Sequence, residues 1–501
     1  MFTELAKFFW NVAVFLQSLF LFITSIFSNI GADKDVKTIH ITIDNTAQYQ
    51  EIDGFGATAC WWAQIAGKSD NAEELTKLLY SIEGLGLNIF RYNIGGGERE
   101  NPESRLDKNS WNSTESFLVY NEKTGEYEYD WNQDAGARKI LDLALSYGCV
   151  DTVVLFANSP HFSMTDTGHA SGGFVPYHSN LPEENYQAYA DYLLDIAEHF
   201  IDEGIPVKYL SPFNEPHVRW GGDEVYQEGC HFSRKEVAAF TKVLAKSLKE
   251  RGLDIKLCLG ESSKICLQTY QYIKDIYKDE EILSVLGTYT YHSYWADGNY
   301  KLREKLGKTM AKKYPGLRYE MSEWSELPCT HTTDSIESAL IMARVLSQDM
   351  AIAGCNAWTA WAPVHSGDNY SDGMIITNDD CSEYYIAKRY NALAHFSKFI
   401  PQGSVRISAE KNVNDRYAEW IGDFEFAVGY RTNVSAYLTP DGETVLVIVN
   451  EDSAKDITLN LTDGNMTIYT TDEKLDCEKT YEGKIQTFNI PENSITTIII
   501  K

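Results

Sequence analysis

The run SPFNEPHVRW, Ser211–Trp220, sets an amide and a carboxylate side by side, Asn214 and Glu215, at the end of an apolar extended stretch, and follows them with Pro216. Proline has no amide hydrogen to continue a strand ladder, and it biases the preceding residue away from helical torsions. The chain must turn there, which leaves Glu215 projecting. A second carboxylate, Glu323, ends another apolar run, LRYEMSEW (Leu317–Trp324). Two carboxyl groups facing each other across a sugar can break a glycosidic bond. One, kept protonated, donates to the leaving oxygen, and the other stabilises or attacks the anomeric carbon. A gap of about 5–5.5 Å goes with double displacement, and a wider one admits a water and inverts. Glu261, Glu320 and Glu326 also fall near the ends of apolar runs, with Glu320 the second candidate for nucleophile.

The elements that must position these groups repeat eight times. Apolar runs at Asp53–Cys60, Asn88–Gly95, Asp151–Ser159, Val207–Asn214, Ile255–Ser262, Leu286–Ser293, Leu317–Glu323 and Cys355–Trp361 read as strands. Between them lie stretches with apolar residues three and four apart, such as Asn185–Gly204 and Thr333–Gly354, both closed by glycine. Strand and helix alternating eight times predicts an α/β fold, a (β/α)8 TIM barrel, over residues 51–399. Its active site belongs at the C-terminal ends of the strands. Strands four and seven stand on opposite sides of such a barrel, so Glu215 and Glu323 face one another across its mouth. The other polar or aromatic residues at strand ends are Arg91, Asn93, Asn158, Asn214, His292, Tyr294, Trp324, Trp358 and Trp361. After Pro401 the pattern becomes short, alternating and β-branched, which predicts an antiparallel β-sandwich. Lys37–Gln50 has the same alternation, so the side domain is expected from both chain ends, residues 36–50 plus 400–501.

Composition narrows the partner. The formal net charge is −28, without a basic cluster, which argues against nucleic acid and against a densely anionic polymer. A neutral polysaccharide or oligosaccharide fits better, and 31 tyrosines with 11 tryptophans supply rings that suit sugar surfaces as well as cores. Nine cysteines, scattered and without a CxxC pair, do not spell a zinc site. His161, His169 and His178 lack close ligand spacing, so no metal and no cofactor is expected. Residues 1–35 stand apart. Phe8–Phe27 is uncharged and mostly apolar, long enough to cross or contact a membrane, and reads as an export signal either cleaved or kept as an anchor. The expected location is secreted or anchored at the cell surface.

These residues resemble glycoside hydrolase family 30, a retaining family with catalytic glutamates on strands four and seven. The resemblance is carried by DGFGATACWW (Asp53–Trp62), FRYNIGGG (Phe90–Gly97), LFANSP (Leu155–Pro160), SPFNEP (Ser211–Pro216), HSYW (His292–Trp295), MSEW (Met321–Trp324) and AWTAW (Ala357–Trp361). Within that family GGDEVYQEGCHFS (Gly221–Ser233) is similar to the endo-β-1,6-galactanases. The resemblance implies Glu215 as acid/base and Glu323 as nucleophile. Arg91, Asn214, His292, Tyr294 and Trp358 would then line the subsite of the sugar under attack, with the Trp358 ring as its floor. Gln227 and Glu228 would touch the sugar or brace their loop. Relatives acting on β-1,6-glucan or glucuronoxylan are the alternatives, as is a carbohydrate-binding protein without catalysis. One departure is His161-Phe162-Ser163-Met164, where the pattern carries aromatic residues, often tryptophan.

Overall fold

Eight parallel strands close into a barrel: Gly54–Thr58, Ile89–Ile94, Thr152–Ala157, Val207–Ser211, Lys256–Ser262, Leu286–His292, Tyr319–Trp324 and Ala357–Ala360. Each pairs with the next, and the eighth returns to the first through Trp358 opposite Phe55. The structure, a computed structural model, describes residues 33, 36–329, 331–367, 371–421, 425–461, 464–484 and 486–501. The strands coincide with the eight apolar runs for a physical reason. A parallel strand is covered on one side by helices and on the other by the barrel interior, so it reads as a nearly continuous apolar stretch. Thr152–Ala157 is buried at every position.

The helices between the strands show one apolar face. In Tyr186–Asp202, Tyr189, Leu193, Ile196 and Phe200 recur at three- and four-residue steps and are buried. Helix Arg234–Arg251 opens with a capping box, in which Ser233 and Glu236 each accept from the other's backbone amide, and closes on Gly252 with φ of 68°. That cap fixes the end of the long loop following Glu215. A hairpin, Leu118–Asn121 with Glu126–Tyr129, is inserted after the second strand, and a small three-stranded sheet follows the eighth.

The C-terminal region forms a nine-stranded sheet into which Thr38–Glu51 is inserted, antiparallel to Val405–Lys411 and parallel to Lys455–Leu459. Strand Thr444–Asn450 shows how the sheet serves two cores. Leu446 and Ile448 join Ile39, Ile41, Ile457 and Ile498 in a core of the sheet's own. Val445, Val447 and Val449, on the opposite face, belong to the barrel's core. The side domain is therefore seated on the barrel by an apolar face. The expectations for Phe8–Phe27 lie outside the described residues. Among the described residues no helix is long and apolar enough to cross a membrane. All nine cysteines are free thiols.

Candidate active site

At the C-terminal end of the barrel, one oxygen of Glu215, one of Glu323 and a ring nitrogen of His292 lie within 4.8 Å of one another. His292 Nδ1 is 3.0 Å from Glu215 Oε1 and 3.5 Å from Glu323 Oε1. Tyr294 donates to Glu323 Oε1 at 3.2 Å, and Arg91 Nη1 donates to its Oε2 at 2.7 Å. Glu323 stands at the end of its strand, whereas Glu215 lies four residues past Ser211, where the fourth strand stops, and Pro216 does not leave Glu215 extended. Its φ is +46°, a left-handed value that a residue with a side chain adopts at a cost of about 1–3 kcal/mol.

A third carboxylate completes the set. Glu261, at the end of the fifth strand, is buried and lies 2.9 Å from His292 Nε2 and 3.8 Å from Arg91 Nη2. Burial alone would raise the Glu261 carboxyl, yet the Arg91 charge and the bonds from His292 and Ser322 take it down to about 2. Burial would lower the His292 imidazole, but the Glu323 charge and hydrogen bonds to Glu215 and Glu261 lift it to about 10. Burial pushes the Glu323 carboxyl above the usual range, against the pull of His292 and Arg91. The arrangement can hold a proton and a nucleophile within one sugar's breadth.

A model described as O-Glycosyl hydrolase family 30 matches residues 38–376, and one described as the family's β-sandwich domain matches residues 403–498. The chain belongs to glycoside hydrolase family 30. The endo-β-1,6-galactanase of Hypocrea rufa is 26% identical over 457 residues, 84% of this chain and 83% of that protein. The putative glucosylceramidase 1 of Caenorhabditis elegans is 24% identical over 493 residues, 93% of this chain and 83% of that protein. Among solved structures, a conserved exported protein from Bacteroides fragilis superposes with a TM-score of 0.79 at 24% identity, covering 92% of this chain and 99% of that one.

Around the glutamates of this family 30 chain, the first three strands and the eighth build a closed side. Asn158 Nδ2 donates to Asn93 Oδ1 at 3.2 Å. The Oδ1 atoms of Asn158 and Asn214 are buried without a hydrogen-bond partner among the described residues. Trp361 packs edge-on against Trp61 with centroids 5.1 Å apart, and both are nearly buried. Two expectations need correction, those for Trp358 and Trp324, while Glu228 takes the bracing one of its two alternatives. Trp358 is fully buried beneath the site, its indole N–H 3.3 Å from Asp349, so its ring has no face to offer as a sugar floor. Trp324 is buried as well and donates to Asp297 at 2.9 Å. Glu228 is fully buried and accepts from the amides of Gly96 and Glu98 at 2.7 and 3.0 Å, so it braces the glycine loop and does not face a sugar.

Gln227 lines a cavity of about 370 Å³ with Arg219, Trp220 and Tyr226, in the loop that leaves Glu215. Glu320, the second candidate nucleophile, lies away from the glutamate pair. Burial pushes it to about 8, helped by the charge of Asp53, which precedes the first strand. His161, His169 and His178 form no ligand cluster among the described residues. Sequence reasoning passed over the role of Glu261, although the signal it used for Glu215 and Glu323, a glutamate closing an apolar strand, is present there too. It also missed Trp295, half exposed at φ +53°, with Lys264 Nζ 5.4 Å from its ring centroid.

Proposed function

We propose that this family 30 chain hydrolyses β-1,6-linked galactan, retaining the anomeric configuration, with Glu323 as nucleophile and Glu215 as acid/base. The observation that supports retention is the approach of the two carboxylates, with oxygens inside 4.8 Å, against about 6.5–9.5 Å where a water must fit between them. In the first step a Glu323 oxygen bonds to the anomeric carbon as the bond to the departing 6-oxygen breaks, and Glu215 gives that oxygen its proton. In the second, Glu215 takes a proton from water, the water oxygen bonds to the anomeric carbon, and the Glu323 ester bond breaks. Arg91 and Tyr294 hold Glu323 in line throughout. Galactan is favoured by the Gly221–Ser233 loop and by the Hypocrea rufa relative. Glucan, glucuronoxylan and simple glucosides are the alternatives. A polymeric substrate and the apolar Phe8–Phe27 favour a secreted or surface-anchored enzyme.

The test is turnover of β-1,6-galactan, β-1,6-glucan, glucuronoxylan and an aryl glucoside side by side, with NMR of the first product from a defined β-1,6-galacto-oligosaccharide. Galactan should be cut fastest and the β-anomer should appear first. Faster cleavage of another glycan removes the substrate assignment, and the α-anomer first removes the double displacement. Because burial raises Glu323, the acid limb of kcat/KM is expected above pH 4.5, the usual glutamate value. A limb at or below that value contradicts Glu323 as the group that must ionise.

The sugar under attack is placed on the closed arc of strands eight, one, two and three. The leaving portion then lies over strands five and six, where Trp295 follows Tyr294 and presents an exposed ring. Stacking on such a ring is worth on the order of 1 kcal/mol. Trp295→Ala is therefore expected to raise KM for a long oligosaccharide by a few-fold to about tenfold. A β-galactosyl fluoride, which has no ring on that side, should be hydrolysed as before. Equal losses on both substrates would place Trp295 elsewhere in the reaction.

A further inference from the structure

Glu261 takes part in neither chemical step, yet four of the barrel's strands converge on it. Ser211 on the fourth strand donates to its Oε1 at 2.8 Å, and Ser322 on the seventh donates to its Oε2 at 2.6 Å. His292 from the sixth and Arg91 from the second complete the shell at 2.9 and 3.8 Å. Its own backbone is held at φ +46°, and a Cβ on the preceding Gly260 would stand 2.4 Å from Thr290 O. A strained, buried carboxylate persists where the surroundings over-determine it, and such strain gathers at functional sites.

The imidazole joins this carboxylate to the reacting pair. Nε2 faces Glu261 while Nδ1 faces Glu215 and Glu323. An ionised carboxylate only accepts hydrogen bonds, so an imidazole between ionised groups serves both sides only with a proton on each nitrogen. We propose that Glu261 is a positioning residue that holds His292 as a cation, with its Nδ1–H aimed at the space shared by Glu215 and Glu323. This deepens the glycosidase reading and rests on it.

The chemistry gives such a cation a task. As the glycosyl ester forms, Glu323 gives up its negative charge, and Glu215, losing its proton, acquires one. Negative charge thus crosses from one carboxylate to the other. A cation 3.0 Å from Glu215 and 3.5 Å from Glu323 compensates both states without moving, which is preorganised electrostatic stabilisation. A buried carboxylate behind the imidazole fixes its orientation and charge, as the aspartate of a Ser-His-Asp triad does. The shifts of the two groups agree, Glu261 down to about 2 and His292 up to about 10. The remaining titratable neighbours do not replace it. Cys258 on its own strand, Tyr289 on the adjoining sixth and Glu320 on the seventh feel its charge. On the side of His292 stand Tyr294, at a ring distance of 5.9 Å, and His217, which burial lowers to about 4.

The experiment follows the His292 ring nitrogens by nitrogen-15 NMR between pH 4 and 10 in wild type, Glu261→Gln and Glu261→Asp, with thermal melts to establish folding. Glutamine still accepts from Nε2–H but no longer stabilises the imidazolium, so the ring should lose its second proton at a pH lower by about 1–3 units. Aspartate, which restores the charge, should bring that pH at least halfway back. A folded Gln variant whose ring stays doubly protonated over the same pH range as the wild type's overturns the proposal. Nitrogen-15 NMR of His292 in the wild-type enzyme decides the matter should neither variant fold. A doubly protonated ring beyond pH 8 is expected, and a neutral ring at pH 7 overturns it. If the wild type cleaves none of the glycans, the glycosidase function fails, while the NMR result still judges Glu261.

Discussion

Glu323→Ala is expected to reduce hydrolysis of β-1,6-galactan by about 10⁴-fold or more, which corresponds to about 5.4 kcal/mol or more of lost transition-state stabilisation. Without the carboxylate no glycosyl ester can form, and the charge that stabilises the oxocarbenium-like transition state is gone. Added azide should restore part of the rate, because the missing side chain leaves room for a small anion on the face that Glu323 occupied. Its product should be the α-galactosyl azide, inverted relative to the β-linked substrate, since Glu215 still protonates the departing oxygen. The variant should fold. Arg91 loses its 2.7 Å partner but keeps Glu261 at 3.8 Å, so the loss should stay below the roughly 3–5 kcal/mol typical of a buried charge left alone. A β-azide from this variant would make Glu323 the acid/base and exchange the roles of the two glutamates. Near-normal turnover would remove it from the chemistry.

The barrel and the glutamate pair were legible in the sequence because both are written locally. A strand buried on two faces is an apolar run, as in TVVLFA at Thr152–Ala157, and a carboxylate closing such a run stands out against it. Topology then sets strands four and seven three steps apart around the ring of eight, so that groups at their ends face one another across the mouth. What escaped depends on neighbours that the sequence scatters. Glu261 acquires its meaning from Arg91, Ser211, His292 and Ser322, which belong to four other strands. Trp358 sits at a strand end like its neighbours, but its indole turns to the buried Asp349, which also binds Arg303 at 2.7 Å and Ser293 at 2.9 Å. A strand-end position says that a ring is near the mouth and leaves open whether it faces sugar or core. Glu228 illustrates the same limit in a loop. Its carboxylate satisfies the amides of Gly96 and Glu98, more than a hundred residues earlier in the chain, a bond that no spacing rule announces.

Glu215→Ala separates the two roles from the other direction. On galactan, whose departing sugar oxygen needs a proton, kcat/KM should drop by about 10²–10⁴-fold. On an aryl galactoside whose leaving group departs as a stable anion, the first step should lose less than about tenfold, because Glu323 and the cationic His292 remain in place. Water then attacks without a base, so the glycosyl ester should accumulate and show a burst of released aryl alcohol. Azide needs no deprotonation. It should speed turnover by entering from the face that Glu215 occupied, giving the β-galactosyl azide with retained configuration. The two variants thus predict azides of opposite hand, an outcome that general damage to the barrel cannot imitate. An α-azide from Glu215→Ala, or equal losses on both substrates, would break the assignment of Glu215 as the acid/base.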